Sequence, residues 1–150
     1  MPPCPRNPLD AHARGIQRWT WRILVVVQCL NALDWGTTVL GVGVFGMPEQ
    51  GQATAYLIRE LGVLGGTTAM KLAAAVIFAG LAAAGATIAA QPHREGTVVS
   101  AGMLVVLVYA AVLLAQTVLS NTVVVCWSVH RCGTFLGGVW KAMMVWPLFR

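Results

Sequence analysis

The chain has 150 residues, of which 57% are hydrophobic and only 10% charged, with a formal net charge of +5. An average soluble domain carries about 25% charged residues, so this chain lacks the polar surface that water demands, and lipid is the solvent that tolerates what remains. The basic residues cluster outside the apolar runs, at Arg6, Arg14, Arg18, Arg22, Arg94, Arg131, Lys141 and Arg150, and form no aromatic-interleaved patch on a polar face, which argues against nucleic acid and for the headgroups of a bilayer.

In chain order, Pro2, Pro3, Pro5 and Pro8 predict a disordered tail over 1–15, because each proline lacks a donor and fixes its own φ. Arg14, Arg18 and Arg22, with Trp19 and Trp21, then lead into an apolar run over about 23–45. At 1.5 Å per residue that run is long enough to cross a hydrocarbon core of about 30 Å. Asn31 and Asp34 interrupt it, which favours a retained span over a cleaved signal peptide.

Residues 46–66 read as a connector opened by Met47-Pro48 and closed by Gly65-Gly66. Between them lies a short amphipathic helix carrying Tyr56, Leu57 and Leu61, with Arg59 and Glu60 arguing against a full crossing. The second span, about 67–90, is rich in Ala and Gly. Its pairs Ala75/Ala79, Gly80/Ala84 and Ala82/Ala86 have the four-residue spacing of small residues that lets helices approach closely in lipid.

A polar turn over 91–96 precedes a third span, about 97–122. Residues 129–150 combine Phe135, Trp140, Trp146 and Phe149 with Lys141 and Arg150, the composition of an interfacial helix, with a fourth crossing as the alternative. The expected architecture is therefore an all-α integral membrane bundle of about three transmembrane helices, occupying 16–128. The arginine density beside the first span predicts a multi-pass protein of the cell membrane with its N-terminus cytoplasmic.

Ionisable groups inside apolar spans carry the most information. A charge at the bilayer centre costs at least about 2.5–3.5 kcal/mol, so it needs a partner or a purpose. Asn31, Asp34, Thr38 and Gly41 share one helical stripe at three- and four-residue spacing, and that stripe must face protein. Lys71 opens the second span, and Tyr109 and Gln116 share a face of the third with Gly102 and Ser120. Turned inward, these faces would join Asp34, Lys71, Tyr109 and Gln116 in one buried polar network. Counted from the connector, Asp34 lies about seven residues deeper than Lys71, roughly 10 Å at 1.5 Å per residue. A bridge through Thr37, Thr38 or water is therefore expected rather than a direct pair, with Glu49 as a rival partner for the lysine. Such a set serves either as interhelical glue or as a transport, ion or ligand site.

Four cysteines are present, and Cys126 and Cys132 could form a disulfide if their end of the bundle faces an oxidising compartment. His130 beside them lacks a fourth ligand and a metal-site spacing, so no metal is expected. No Gly-x-Ser-x-Gly, His-Glu-x-x-His, P-loop or dinucleotide fingerprint occurs, so neither an enzyme nor a cofactor is expected. The composition points instead to a protein acting by helix–helix association with itself or a larger membrane partner. The alternative is an oligomeric transport, channel or phage-type pore-forming component that uses the Asp/Lys site.

The segment from Leu30 to Leu81 resembles a family of small prokaryotic multi-pass membrane proteins with a domain of unknown function. That family has Asn-x-x-Asp-x-x-x-Thr in its first span, Glu-x-Asn-Pro after it, a short helix ending in glycine, and a lysine opening the next span. Here Asn31, Asp34 and Thr38 stand in register, followed by Glu49, by Tyr56-Leu57-Ile58 with Gly62, and by Lys71. Gly51-Gln52 replaces the Asn-Pro. The resemblance implies a membrane location and singles out Asp34, Thr38, Glu49 and Lys71, and it implies no reaction.

Overall fold

The computed structural model describes residues 8–49, 51–90 and 94–131. Helix α1 (Pro8–Thr38) passes directly into a π-helical segment (Val39–Val44), followed by α2 (Gln52–Ala89) and α3 (Arg94–Arg131). The described residues form no strand. Among the described residues, three helices are long and apolar enough to cross a membrane, over Arg14–Val44, Gln52–Ala89 and Gly96–Val129. The protein is an all-α bundle.

Helical structure starts earlier than the prolines suggest. The tail expected over 1–15 gives way to helix at Pro8, because proline is well tolerated in a first helical turn, where its missing N–H would be unpaired anyway. At the other end α3 runs on past residue 122 to Arg131. The interfacial helix expected over 129–150 lies almost wholly outside the described residues.

The connector and the second span form one run of helix broken at Gly62, whose φ of 75° and ψ of 171° interrupt the helical backbone. The short helix thus occupies 52–61 and the crossing starts at 63, about one turn before the expected residue 67. A glycine is required here, since this region of backbone space is open essentially to glycine alone. The chain folds back so tightly that a Cβ on Gly66 would stand 2.4 Å from the Ile58 nitrogen.

Two compact units divide the chain, one formed by Met1–Cys29 with Ala75–Leu113 and the other by Leu30–Ala74 with Leu114–Arg150. In the first, Leu24, Ala82 and Leu107 form a small buried cluster against which Ile23, Phe78 and Leu81 pack. Small residues allow close approach there: a Cβ on Gly96 would stand 2.8 Å from the Ile88 carbonyl oxygen. The Ser100 hydroxyl lies 2.9 Å from the Gly85 carbonyl and 2.8 Å from that of Gly96. Gln28 Nε2 donates to the Ala75 carbonyl at 3.0 Å.

Burial is inverted relative to a soluble protein. Among the described residues, the buried apolar side chains are Leu24, Val27, Ala82, Ala86, Ala89 and Leu107, and they are matched in number by buried Thr20, Asn31, Asp34, Thr38, Thr67 and Ser100. Meanwhile Val25, Val26, Leu33, Leu72, Val76, Ile77, Val105, Val106, Val112, Leu119 and Val123 are exposed. An apolar exterior on that scale is stable only against hydrocarbon. The hydroxyls obey the same constraint: Thr20, Thr67, Thr87 and Thr122 each donate to the carbonyl four residues back, at 2.6–2.9 Å. This back-bonding satisfies a donor that lipid cannot.

Candidate functional site

The candidate site lies in the second unit and begins with the polar stripe of α1. Asn31, Asp34 and Thr38 are all buried, as their three- and four-residue spacing predicts. Asn31 Nδ2 donates to the main-chain carbonyl of Lys71 at 2.9 Å. One turn further on, Trp35 Nε1 donates to Thr68 Oγ1 at 3.0 Å. These two bonds pin the axial register of α1 against the crossing half of α2.

That register brings the Lys71 ammonium directly onto Asp34 Oδ2 as an ion pair. The expected bridge through threonine or water is not what forms. Asp34 stands ten residues before the end of the π segment at Val44, and Lys71 nine residues after the break at Gly62. The apparent mismatch in depth came from starting the second span at residue 67. Once the break is placed at Gly62, the two levels nearly coincide.

The other carboxylate oxygen, Asp34 Oδ1, accepts from Asn121 Nδ2 on α3 at 3.0 Å. One acid is thus tied to both other helices. A buried charge is tolerable when it is paired and hydrogen-bonded, and Asp34 has one ion-pair partner and one amide donor, its side chain only 5% exposed against 19% for Lys71. Thr37 Oγ1 donates to the Asp34 main-chain carbonyl at 3.2 Å. On Asn31, Oδ1 is buried without a partner.

Beside this node lies an open cleft of about 590 Å³. Asp34, Thr37, Thr38 and Gly41 line it from α1 and the π segment, and Lys71 lines it from α2. Met47, Pro48, Glu49, Gly51 and Thr54 close it from the connector, and Gln116, Thr117, Ser120, Asn121, Val124 and Val125 from α3. π-helical turns are rare and recur at functional sites, and here the π segment presents Gly41 at the cleft wall. Glu49 Oε1 accepts the Gly51 amide at 2.9 Å, which shapes the connector at the cleft's edge.

Of the residues expected at a polar site, the cleft collects Asp34, Thr38, Glu49, Lys71 and Gln116. Asn31 stands behind the pair, holding the backbone of Lys71. Glu49 does not rival Asp34 for the lysine, which Asp34 holds. Tyr109 does not join: it belongs to the other unit and is 63% exposed. At 3.6 residues per turn it lies about 200° around α3 from fully buried Leu107, on the outer surface. The face linking Gly102, Tyr109 and Gln116 was traced at seven-residue spacing, whereas burial on α3 follows Gly96, Ser100 and Leu107. Asn121 was missed as a partner of Asp34. Its contact spans 87 positions of sequence, and no local spacing signals it.

Among the described residues, no group of three or more His, Cys, Asp or Glu could hold a metal ion. Among the described residues Cys29 and Cys126 form no disulfide, and both occupy exposed helix positions. Cys132 lies outside the described residues, and its pairing with Cys126 therefore also falls outside them. No family model, curated protein or solved structure matches this chain.

Proposed function

We propose that this chain is a non-enzymatic multi-pass protein of the cell membrane that binds a small polar solute in its second-unit cleft, as a component of an oligomeric transport or channel assembly. The observation that carries the reading is Asp34, held by Lys71 and Asn121 on the wall of a 590 Å³ cleft rich in hydroxyl and amide groups. Glue between helices needs only contact. A cleft of a volume typical of ligand pockets, about 300–1,000 Å³, goes beyond that need. The three described helices enclose little by themselves, so translocation calls for several copies or a larger partner. The test is solute flux in proteoliposomes, comparing the native chain with Asp34→Asn. Flux that depends on the protein and falls at least tenfold in the variant supports the reading, and equal flux for every solute overturns it.

A second observation favours helix association itself as the activity. Ala82 and Ala86 are spent on packing within the chain, whereas Ala79, Gly80, Ala83 and Ala84 face outward, and a Cβ on Gly80 would meet nothing within 4 Å. Such a small-residue surface suits close approach by another helix in lipid. Loss of detergent-resistant cross-linking on Ala79→Leu with Gly80→Leu supports this mode, and unchanged assembly removes it.

The bilayer itself is the third partner. Arg14, Arg18 and Arg22 are exposed at four-residue spacing, with Arg22 over the Trp19 ring at 5.3 Å. Each such arginine contributes about 1 kcal/mol of attraction to anionic headgroups. This density supports a cytoplasmic N-terminus, to be checked by labelling a cysteine placed at residue 14 with a membrane-impermeant reagent.

A further inference from the structure

This inference rests on reading the cleft as a binding site, and it assigns the guest. We infer that the cleft takes a small monovalent cation, and that the Lys71 ammonium occupies the guest's position on Asp34 while the site is empty.

Charge comes first. Among the described residues lining the cleft, Asp34 and Glu49 are acidic and Lys71 alone is basic, leaving one negative charge in excess. The described residues contain one ion pair, Lys71 with Asp34. Glu49 stands at the cleft's edge, where its Oε1 accepts the Gly51 amide. Among the described lining residues, an anionic guest would meet this excess with only a lysine already engaged and no arginine to receive it.

Ligand chemistry agrees. The remaining polar lining comes from Thr37, Thr38, Thr54, Gln116, Thr117, Ser120 and Asn121, all able to offer oxygen. Hard cations bind carboxylate, carbonyl and hydroxyl oxygens in preference to nitrogen or sulfur. Asp34 is not saturated by its two donors, since a carboxylate has about four lone-pair sites. The guest can therefore approach the same carboxylate that Asn121 orients.

Lys71 fits the part of an internal substitute. Its side chain is the more exposed of the pair, and its four-carbon stem can swing while the ammonium stays solvated. Its backbone position does not depend on that side chain, because Asn31 holds the carbonyl of residue 71. A tethered competitor acts at an effective concentration on the order of millimolar. The native affinity for a free cation is therefore weakened by the chain's own lysine, and removing the lysine should strengthen it.

The experiment titrates sodium, potassium and methylammonium chlorides against purified protein in nanodiscs by calorimetry, with choline chloride holding the ionic strength. Native protein is expected to show weak saturable binding of at least one of these cations. Lys71→Gln should bind it at least ~5-fold more tightly, the low end of an energetic coupling between sites. Asp34→Asn should lose binding, and Glu49→Gln should weaken it severalfold. A Lys71→Gln protein that binds no more tightly than the native chain overturns the assignment. Should Lys71→Gln fail to fold, Glu49→Gln decides the matter, since it leaves the ion pair intact: unchanged affinity there also overturns it. Binding of phosphate or glycerol but of no cation would refute the cation while preserving the cleft as a site. Binding of no solute at all would refute both.

Discussion

Asn121 donates its Nδ2 to Asp34 Oδ1 at 3.0 Å while the lysine of a third helix holds the opposite oxygen. The acid is thus the point at which three separate stretches of chain in the second unit are tied together. Removing one partner of a buried pair leaves an uncompensated charge and costs about 3–5 kcal/mol, whereas replacing both with apolar groups of similar volume is far milder. Lys71→Met alone should therefore lower stability by about 3 kcal/mol, the low end because the lysine is partly exposed. Asp34→Leu with Lys71→Met should recover most of that loss. Unfolding in mixed detergent–SDS micelles measures both, and additive losses would contradict the node.

The break at Gly62 sets the level of Lys71, so the backbone there is a sensitive point. Gly62→Ala forces a Cβ into a region of φ and ψ that costs about 1–3 kcal/mol. Gly66→Ala places a methyl group 2.4 Å from the backbone of Ile58, which must shift to accept it. Both variants should unfold at lower SDS fractions than the native chain, whereas Gly80→Ala, with open space around its Cα, should not. Equal midpoints for all three would refute the fold-back.

Within α2, the inner and outer small residues should respond differently. Ala82→Leu inserts three carbons beside Leu24 and Leu107, and overpacking of that kind costs about 1–3 kcal/mol. Gly80→Leu should leave the stability of the single chain unchanged while reducing cross-linked oligomer. Size-exclusion with light scattering, run beside the unfolding titration, separates the two effects.

Cys29 provides a test of solvent. It is exposed on α1 between Val25, Val26 and Leu33. In water such a thiol would react readily. Facing hydrocarbon it is out of reach of a charged reagent, because a charge enters the bilayer core only at high cost. A chain retaining Cys29 as its single cysteine should resist a charged maleimide in intact membranes and react fully once denatured. Ready labelling in the membrane would place that surface in water.

The membrane bundle and its inward-facing Asn31–Asp34–Thr38 stripe were legible in the sequence. Hydropathy adds up along the chain, and one helix's periodicity fixes which of its residues share a face whatever lies opposite. The choice of partner was not legible in this way. That Asp34 meets Lys71 directly and Asn121 besides, and that Tyr109 stands outside, depends on axial register and on the rotation of α3. Both follow from a backbone break at Gly62 and from contacts spanning up to 87 positions, and only the folded arrangement decides them.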